Sequence, residues 1–563
     1  MQPGLPDQLA RASALLNARR FAEAAALLAP LARLHARVGA VRHLNGAAHA
    51  ALGDMAGAER ELRAAMTLEP ARHEAVLLLA QLLGAAGRHE DLVALTDALA
   101  ALPQAPAGVF DLRARAFEAL HMQDARVAAR RRIVALQPGR SVPEHNLAAA
   151  LGDAGDAEEA VLLARRALGA ADRPETWLVL GRALQSMGRF DEAEQALRAA
   201  AQRRPGYVDA LRDLAQLIWM RGGDLATARA VLARDGCAPA VAARLRAVEA
   251  RLIETAGDGV AAYALLAREG TGGDAVAELT AAHLAMAFDP GQALVHGRRA
   301  EAAAPDDPAV ERKMIELELA AARPEAALAR LDRAIVRQPL DQGLVALQWI
   351  GWRLLGDSRA ALLYDYRAFV GAAMLDCPPG WTRLEDYIRD LAVALRAAHG
   401  LQRHPLDQSL RHGTQTTAEL TRSRDPAIRA FTIAIDGPIR RYIEALGAGT
   451  DLVRRRRARD YRLNGLWSVR LQPGGHHVSH VHPRGWISSA CHLELPETDP
   501  GCEDGWLTFG EPGIPVRPAL PAEHRVRPVS GQLVLFPSYM WHATVPFRCP
   551  GSRLTIAFDV VPA

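Results

Sequence analysis

The sequence predicts a multidomain protein in which an α-helical solenoid of repeats precedes a smaller all-β domain with flanking helices. Three observations support this fold class. The chain has 563 residues, which is too long for one ordinary domain. Small residues recur at steps of about 34 residues through its first two-thirds. After residue 376 that pattern gives way to short strand-like runs and to a cluster of histidines.

The composition agrees with closely packed helices. Hydrophobic residues make up 50% of the chain and aromatic residues only 5%. Alanine, which is small and favours helix, contributes much of the apolar total. No stretch approaches the ~20 apolar residues that span a bilayer, so we expect no membrane segment. The N-terminal residues have neither a basic region nor an apolar run, so we also expect no signal peptide.

Charge and cysteine content indicate which partners and which cellular compartment to expect. The net charge is +3, from 67 basic and 64 acidic residues, and gives no reason to expect a nucleic-acid partner. The five cysteines are odd in number and scattered, and they form neither a disulfide framework nor a CxxC zinc pattern. This usage is typical of a reducing compartment and predicts a cytoplasmic protein.

The repeat is clearest between Trp177 and Pro205. Gly181, Ala193 and Ala200 are small enough to let two antiparallel helices touch, and Pro205 ends the second helix. The same places are occupied elsewhere by Gly46, Ala58, Ala65 and Pro70, and by Ala281, Ala293, Ala300 and Pro305. The stretch 208–275 is degenerate but has the length of two more units. We therefore expect about eleven repeats over residues 1–375.

This pattern resembles the tetratricopeptide repeat. Because one helix pair cannot bury its apolar face alone, such units stack into a superhelix. The resemblance implies a concave groove that binds an extended peptide or a partner protein. Two alternatives stay open, namely that the repeats mediate dimerisation or that they space another domain.

The remainder of the chain predicts a β domain. Residues 376–400 are expected to form a linker and a helix, and a second helix is expected at about 426–446. Strand-like runs follow at Trp467–Leu471, Trp486–Leu495, Gly505–Phe509, Gly531–Phe536 and Leu554–Val560. Short strands separated by turn signals predict a sandwich or jelly roll over residues 401–563.

Three histidines in this domain suggest a metal site. His480 and His482 are two residues apart and therefore share one face of an extended chain, and His542 can approach from another strand. Imidazole suits iron, zinc, copper or nickel, so the ligands alone do not identify the metal. Arg553 and Thr555 also share a face, and a guanidinium with a hydroxyl can bind a dicarboxylate.

The domain resembles the 2-oxoglutarate and Fe(II)-dependent dioxygenases, most closely those fused to tetratricopeptide repeats. The similar segments are His404–Thr417, His480–Ser488 and Gly531–His542. The resemblance implies a double-stranded β-helix, Fe(II) held by the three histidines, 2-oxoglutarate held by Arg553 and Thr555, and O2 as co-substrate. His482 stands where the wider family has a carboxylate, so its role as a ligand stays open.

Further residues are expected near the substrate. Trp486 and Trp541 are predicted to wall the cavity, with Ser488 close by. A polar cluster either lines the substrate entrance or fixes a loop, and both interpretations stay open; it consists of Gln408, Ser409, Arg411, Thr414 and Gln415.

The function predicted from these features is hydroxylation of a protein or peptide side chain that the solenoid presents to the β domain. Two alternatives stay open: a non-catalytic scaffold with a degenerate oxygenase domain, and a three-histidine dioxygenase that does not use 2-oxoglutarate.

Overall fold

The computed structural model describes residues 4–497, 499 and 501–563. The first three residues of the N-terminal stretch, in which no signal peptide is expected, lie outside this range. The chain divides into two compact units, Met1–Asp172 and Arg173–Ala563. Within the described residues, no helix has both the length and the apolar character that crossing a membrane requires.

The first unit consists of consecutive antiparallel helix pairs. Its helices are α1 (Leu5–Asn17), α2 (Phe21–Leu34), α3 (Gly39–Ala51), α4 (Met55–Leu68), α5 (His73–Ala85), α6 (His89–Ala100), α7 (Ala107–Ala119), α8 (Gln123–Leu136), α9 (Ser141–Asp153) and α10 (Ala157–Ala170). Ala80, Ala114 and Ala148 occupy equivalent places on α5, α7 and α9 and are fully buried. On α3 a Cβ added to Gly46 would lie 2.7 Å from Leu62 Cγ on α4. The small residues at fixed phase thus set how closely the paired helices approach.

The second unit begins with further helix pairs of the same kind. They are α11 (Pro174–Ser186), α12 (Phe190–Arg203), α13 (Val208–Met220), α14 (Leu225–Ala230), α15 (Pro239–Thr255), α16 (Gly259–Glu269), α17 (Ala275–Ala285), α18 (Pro290–Ala303), α19 (Pro308–Ala320), α20 (Pro324–Arg337) and α21 (Gln342–Leu355). A Cβ on Gly181 would lie 2.8 Å from Leu197 Cγ, which repeats the contact of the first unit. The degenerate stretch 208–275 contains α13 to α16, and its irregularity lies in the short helix α14.

The end of the repeats differs from the boundary expected at residue 375. Two short helices, α22 (Arg359–Leu363) and α23 (Tyr366–Phe369), are followed by strand β1 (Gly371–Met374). Asp365 Oδ1 accepts a hydrogen bond from the Ala368 amide and starts α23, which ends after one turn in extended backbone at Val370. Residues 371–374 then alternate between half-buried and exposed, as an edge strand does, and they belong to the sheet.

Antiparallel strands recur through the remaining chain. Its strands after β1 are β2 (Leu410–Gln415), β3 (Tyr461–His477), β4 (Ile487–Glu494), β5 (Leu507–Phe509), β6 (His524–Val526), β7 (Gln532–Pro537), β8 (His542–Thr544) and β9 (Arg553–Pro562). One sheet has the order β1-β7-β4-β9-β3-β2, and a smaller sheet has the order β6-β5-β8. These sheets agree with a jelly-roll domain. The predicted order of a helical repeat segment and then a β domain is confirmed.

Two helices flank the larger sheet, close to where they are predicted. They are α24 (Leu384–Ala398) and α25 (Pro426–Ala445). Phe431 on α25 is fully buried, and its ring packs edge-on against Phe558 of β9 at 6.1 Å between centroids. The helices therefore cover the outer face of the sheet and leave its inner face, which faces β5, β6 and β8, to form a cavity.

Candidate metal centre

Three histidines meet where the two sheets approach each other. The backbone amides of His480 and His542 each donate to the other's carbonyl, at 3.0 and 3.1 Å. The amide of His482 donates to the carbonyl of Ser538 at 3.0 Å. One ring nitrogen of each histidine lies within 4.8 Å of the others, which makes this the single such cluster among the described residues. His480 and His482 lie in extended chain just beyond β3, and their rings converge as their spacing predicts.

Each ring is held by its Nδ1 atom. Nδ1 of His480 donates to the Val478 carbonyl and Nδ1 of His542 donates to the Met540 carbonyl, both at 2.9 Å. Nδ1 of His482 donates to the Asp559 carboxylate at 2.8 Å. A proton on Nδ1 leaves the lone pair of a neutral imidazole on Nε2, and partners of this kind orient metal-binding histidines. The three Nε2 atoms therefore carry lone pairs that one cation can bind, and that of His480 lies 3.3 Å from Ser409 Oγ.

The electrostatics of the site keep two imidazoles neutral. Burial, together with the neighbouring His482, lowers the pKa of His480 to about 3. Burial and the two other histidines hold the pKa of His542 well below its ordinary value. Burial also lowers the pKa of His482, but the carboxylate of Asp559 outweighs it, and the net shift is upward. Neutral imidazole is the form that binds a metal.

Arg553 is a buried cation without an acidic partner. It is 2% exposed, and no Asp or Glu among the described residues lies within ion-pair distance of it. Its Nη2 donates to Nδ1 of His492 at 3.2 Å, and its Nε has no partner. Burial lowers the pKa of Arg553 to about 10, so the guanidinium is still charged at neutral pH. A buried charge without a partner is costly, which marks this end of the cavity as a place for an anion.

These residues line one cavity of about 580 Å³. Arg553, Thr555, Ala557 and Asp559 all reach it from β9, because alternate residues of a strand share a face. Thr555 Oγ1 makes only a long contact of 3.4 Å with the Val469 carbonyl. Its hydroxyl is therefore available to a ligand beside the guanidinium.

Some residues of the predicted polar cluster line the cavity, and the others hold the surrounding loop and strand. Gln408, Ser409 and Gln415 line the cavity, and Ser409 Oγ lies 3.3 Å from His480 Nε2. Arg411 instead donates to the carbonyls of Gln408 and Leu410 and fixes the loop. Thr414 is buried against His399, with 2.8 Å between Oγ1 and Nδ1.

The two tryptophans predicted to wall the cavity do not line it. Trp486 precedes β4 and donates from Nε1 to the Val453 carbonyl at 2.9 Å. Trp541 donates from Nε1 to the Ala346 carbonyl of α21 at 3.2 Å. Both rings are buried and bonded to backbone carbonyls of residues that do not line the cavity. The aromatic wall is Trp467, whose ring stacks on that of His482 at 5.9 Å between centroids.

Three residues of the site were not predicted from the sequence: Asp559, His492 and Trp467. Asp559 had a usable signal, because it follows Arg553 and Thr555 at the same even spacing along β9. His492 is opposite Thr555 in the register of β4 and β9, and nothing in the sequence reveals that pairing. Ser488, predicted near the substrate, lies behind Asp559 and donates to its Oδ1 at 2.7 Å.

Comparison with known families agrees with this geometry. Residues 465–559 match a family model described as "Putative 2OG-Fe(II) oxygenase". Residues 174–217 match a model described as "Tetratricopeptide repeat". The chain therefore contains one segment similar to tetratricopeptide repeats and one segment similar to 2OG-Fe(II) oxygenase domains. Both resemblances predicted from the sequence are confirmed.

Solved structures similar to the chain are also repeat proteins. A tetratricopeptide-repeat protein from Parabacteroides merdae is 15% identical, with a TM-score of 0.35, and the match covers 48% of this chain and 96% of that one. A thermophilic TPR protein of Thermus thermophilus is 20% identical, with a TM-score of 0.25, over 32% of this chain and 100% of that one. YrrB, described as a TPR protein with an unusual peptide-binding site, is 11% identical, with a TM-score of 0.31, over 33% and 96%. No curated protein matches the sequence.

The cavity fits the groups that the matched oxygenase family implies. The three imidazoles have ring nitrogens within 4.8 Å of one another, and nitrogen donors of this type suit Fe(II). Arg553 lacks a counter-ion and so fits a carboxylate.

If Arg553 binds a ligand anion, it should not stabilise the protein in the absence of that ligand. We expect Arg553→Met to leave the free energy of unfolding unchanged or to raise it by up to about 2 kcal/mol in metal-free protein, because the substitution removes an unpaired buried charge. The measurement is urea unfolding followed by circular dichroism. The control is Arg330→Met, which removes an arginine paired with Glu301 and Glu318 at 2.6 and 2.9 Å and should be destabilising. A loss of more than about 2 kcal/mol in Arg553→Met would show that Arg553 is structural.

Proposed function

We propose that the protein is a 2-oxoglutarate- and Fe(II)-dependent dioxygenase that hydroxylates a side chain of a polypeptide. One observation carries the proposal: a single cavity contains three convergent imidazoles and a buried arginine without an acidic partner. The family match over residues 465–559 supports it. When bound, Fe(II) with 2-oxoglutarate and O2 supplies the oxidising chemistry, and the protein supplies binding, orientation and exclusion of water.

The contacts of the histidines, of Arg553 and of Thr555 support a role for each of them. His480, His482 and His542 would hold the iron through Nε2. Arg553 would bind the distal carboxylate of 2-oxoglutarate, with the Thr555 hydroxyl as a second donor. His492 accepts a hydrogen bond from Arg553, and burial with the adjacent guanidinium holds its pKa well below the ordinary value. A neutral His492 therefore orients the guanidinium without neutralising its charge.

Contacts between the oxygenase domain and the repeat helices of the same unit support the inference that the substrate is a polypeptide. The segment 402–409 lies against α13 and α15. The Met220 carbonyl accepts from the Gln402 amide at 2.8 Å, and Trp219 Nε1 donates to the His404 carbonyl at 3.0 Å. Gln216 Oε1 accepts from the Leu406 amide at 3.1 Å. These bonds fix the segment that leads from the repeat helices into the metal cavity.

Asp407 lies where two cavities meet. Its carboxylate pairs with Arg212 at 2.9 Å and with Arg251 at 2.7 Å. It borders both the metal cavity and a groove of about 530 Å³ between α13, α15 and α17. Ser409, two residues further on, contacts His480, and two extended residues span only about 7 Å. A polypeptide in the groove would therefore reach the metal with its next two or three residues.

The catalytic part of the proposal predicts succinate formation that depends on Arg553. The protein is incubated with Fe(II), ascorbate, 2-oxoglutarate and a polypeptide extract, and succinate and peptides that gain one oxygen atom are measured. We expect both products from the wild type, and at least a 100-fold loss of succinate in Arg553→Met, equivalent to about 2.7 kcal/mol. The variant should still bind Fe(II), because Arg553 touches no histidine of the metal cluster.

Two outcomes contradict this assignment. A wild-type protein that binds no iron and forms no succinate would favour a non-catalytic scaffold. Oxidation that persists in Arg553→Met would favour a three-histidine dioxygenase that does not use 2-oxoglutarate.

The groove predicts a separate effect on the polypeptide alone. Val276 lines the groove on α17 and is 52% exposed, so Val276→Arg should fold normally and obstruct the groove. In Val276→Arg we expect the KM for the polypeptide substrate to rise about 10-fold, or ~1.4 kcal/mol. The turnover of 2-oxoglutarate in the absence of polypeptide should be unchanged. The control is Val260→Arg, on α16 outside the groove and 70% exposed. Equal KM values in both variants would contradict a substrate path through this groove.

A further inference from the structure

The metal cavity has an unusual charge composition. Its three candidate ligands are imidazoles, and its other buried charged group at the ligand end is the cation Arg553. Two acidic residues line the cavity, Asp407 and Asp559. Asp407 is exposed at the mouth and is already paired with two arginines. Asp559 is therefore the carboxylate that remains for the metal end.

Asp559 is buried and its two carboxylate oxygens have different partners. Oδ2 accepts the hydrogen bond from Nδ1 of His482 at 2.8 Å, and Oδ1 accepts one from Ser488 Oγ at 2.7 Å. Asp559 forms no ion pair with an Arg or Lys among the described residues, so its charge is directed to His482. The strand register explains the contact with the serine, because Ser488 on β4 is opposite Asp559 on β9.

The same small cluster also holds the backbone of His482. The Ser538 carbonyl accepts from the His482 amide at 3.0 Å, and Ser538 Oγ lies 2.9 Å from Ser488 Oγ. Backbone and ring are thus tethered at two points, which leaves Nε2 of His482 directed into the cavity. Because Ser488 and Ser538 are fully buried, water does not compete for these bonds.

A carboxylate behind a histidine ligand changes what that ligand does. It fixes the tautomer with the proton on Nδ1 and makes Nε2 more basic, and losing such a partner typically costs 10- to 100-fold in metal affinity. In a cavity shielded from water the charge also acts strongly over the few ångströms to the cation. Before an anion is bound, a divalent cation held by three neutral donors near Arg553 would have Asp559 as the carboxylate at its end of the cavity.

We propose that Asp559 is the positioning residue of the metal centre, which holds His482 in its ligating orientation and supplies through it the negative charge that three imidazoles lack. This inference rests on the metal-binding part of the proposed function and is independent of the substrate.

The first test is metal affinity rather than turnover. The metal-free full-length protein is titrated with Co²⁺, and the dissociation constant is measured for the wild type, Asp559→Asn and Ser488→Ala. Asn preserves the shape and can still accept the hydrogen bond from His482, so it removes the charge and keeps that bond. We expect Asp559→Asn to weaken Co²⁺ binding about 10- to 100-fold. Ser488→Ala should weaken it in the same direction by less, because the carboxylate loses one of its two anchors.

The control is Asp436→Asn, which makes the same charge change on α25. Asp436 accepts from the Tyr461 hydroxyl at 2.7 Å and pairs with Arg440, and it does not line the cavity. Its Co²⁺ affinity should equal that of the wild type. Thermal unfolding of each metal-free variant shows whether it is folded. If Asp559→Asn does not fold, Ser488→Ala provides the comparison.

The second test separates supply of charge from simple support of the fold. His482→Asp places a carboxylate directly at the metal position, so the charge of Asp559 becomes redundant. We expect Asp559→Asn to leave Co²⁺ affinity unchanged, or to raise it, in the His482→Asp background. A structural role would produce the same loss in both backgrounds, because the two effects would then add.

The outcomes distinguish this inference from the proposed function. A wild type that binds no Co²⁺ contradicts the metal site itself. A wild type that binds Co²⁺, with equal affinity in folded Asp559→Asn, or in Ser488→Ala where Asp559→Asn does not fold, overturns the role of Asp559 and leaves the metal site intact. Equal losses in both His482 backgrounds also overturn it.

Discussion

The position of β9 in the middle of the larger sheet is the constraint on which the site depends. Because β3 and β4 pair with β9 on its two sides, its register is fixed along most of its length. The alternation of a strand then places Arg553, Thr555 and Asp559 on one face. A shift of one residue would turn these polar groups into the outer core beneath α25 and expose Phe558 to the cavity. One strand thus carries both the candidate anion end and the carboxylate behind the metal end.

The histidines depend on that register indirectly. His482 is oriented by Asp559, and His480 is fixed by its backbone pair with His542 at the start of β8. The rings therefore converge without being consecutive in any one strand. The repeat helices add a second constraint within the same unit, since α13 and α15 hold the segment that ends at Ser409 beside His480. Substrate entry and metal binding would be connected through these three consecutive residues, Asp407 to Ser409.

The sequence predicts those features that repeat or that obey a simple period. Alanine and glycine at steps of about 34 residues predict helix contacts, because a small residue is needed wherever two helices touch. The spacing of His480 and His482, and of Arg553 and Thr555, predicts their shared faces. Trp486 and Trp541 were placed wrongly because their environment is set by distant helices and by the Val453 segment. The strand Gly371–Met374 was not predicted, because the alanine spacing indicates helix packing only and gives no signal for an edge strand.

X-ray absorption at the iron edge tests the central claim most directly, namely that three imidazoles of one cavity hold the metal. The full-length protein is reconstituted with Fe(II) in the absence of oxygen. The account predicts one iron per chain and scattering from three imidazole rings. Iron with fewer than three imidazole ligands, or iron bound only by oxygen, would contradict it.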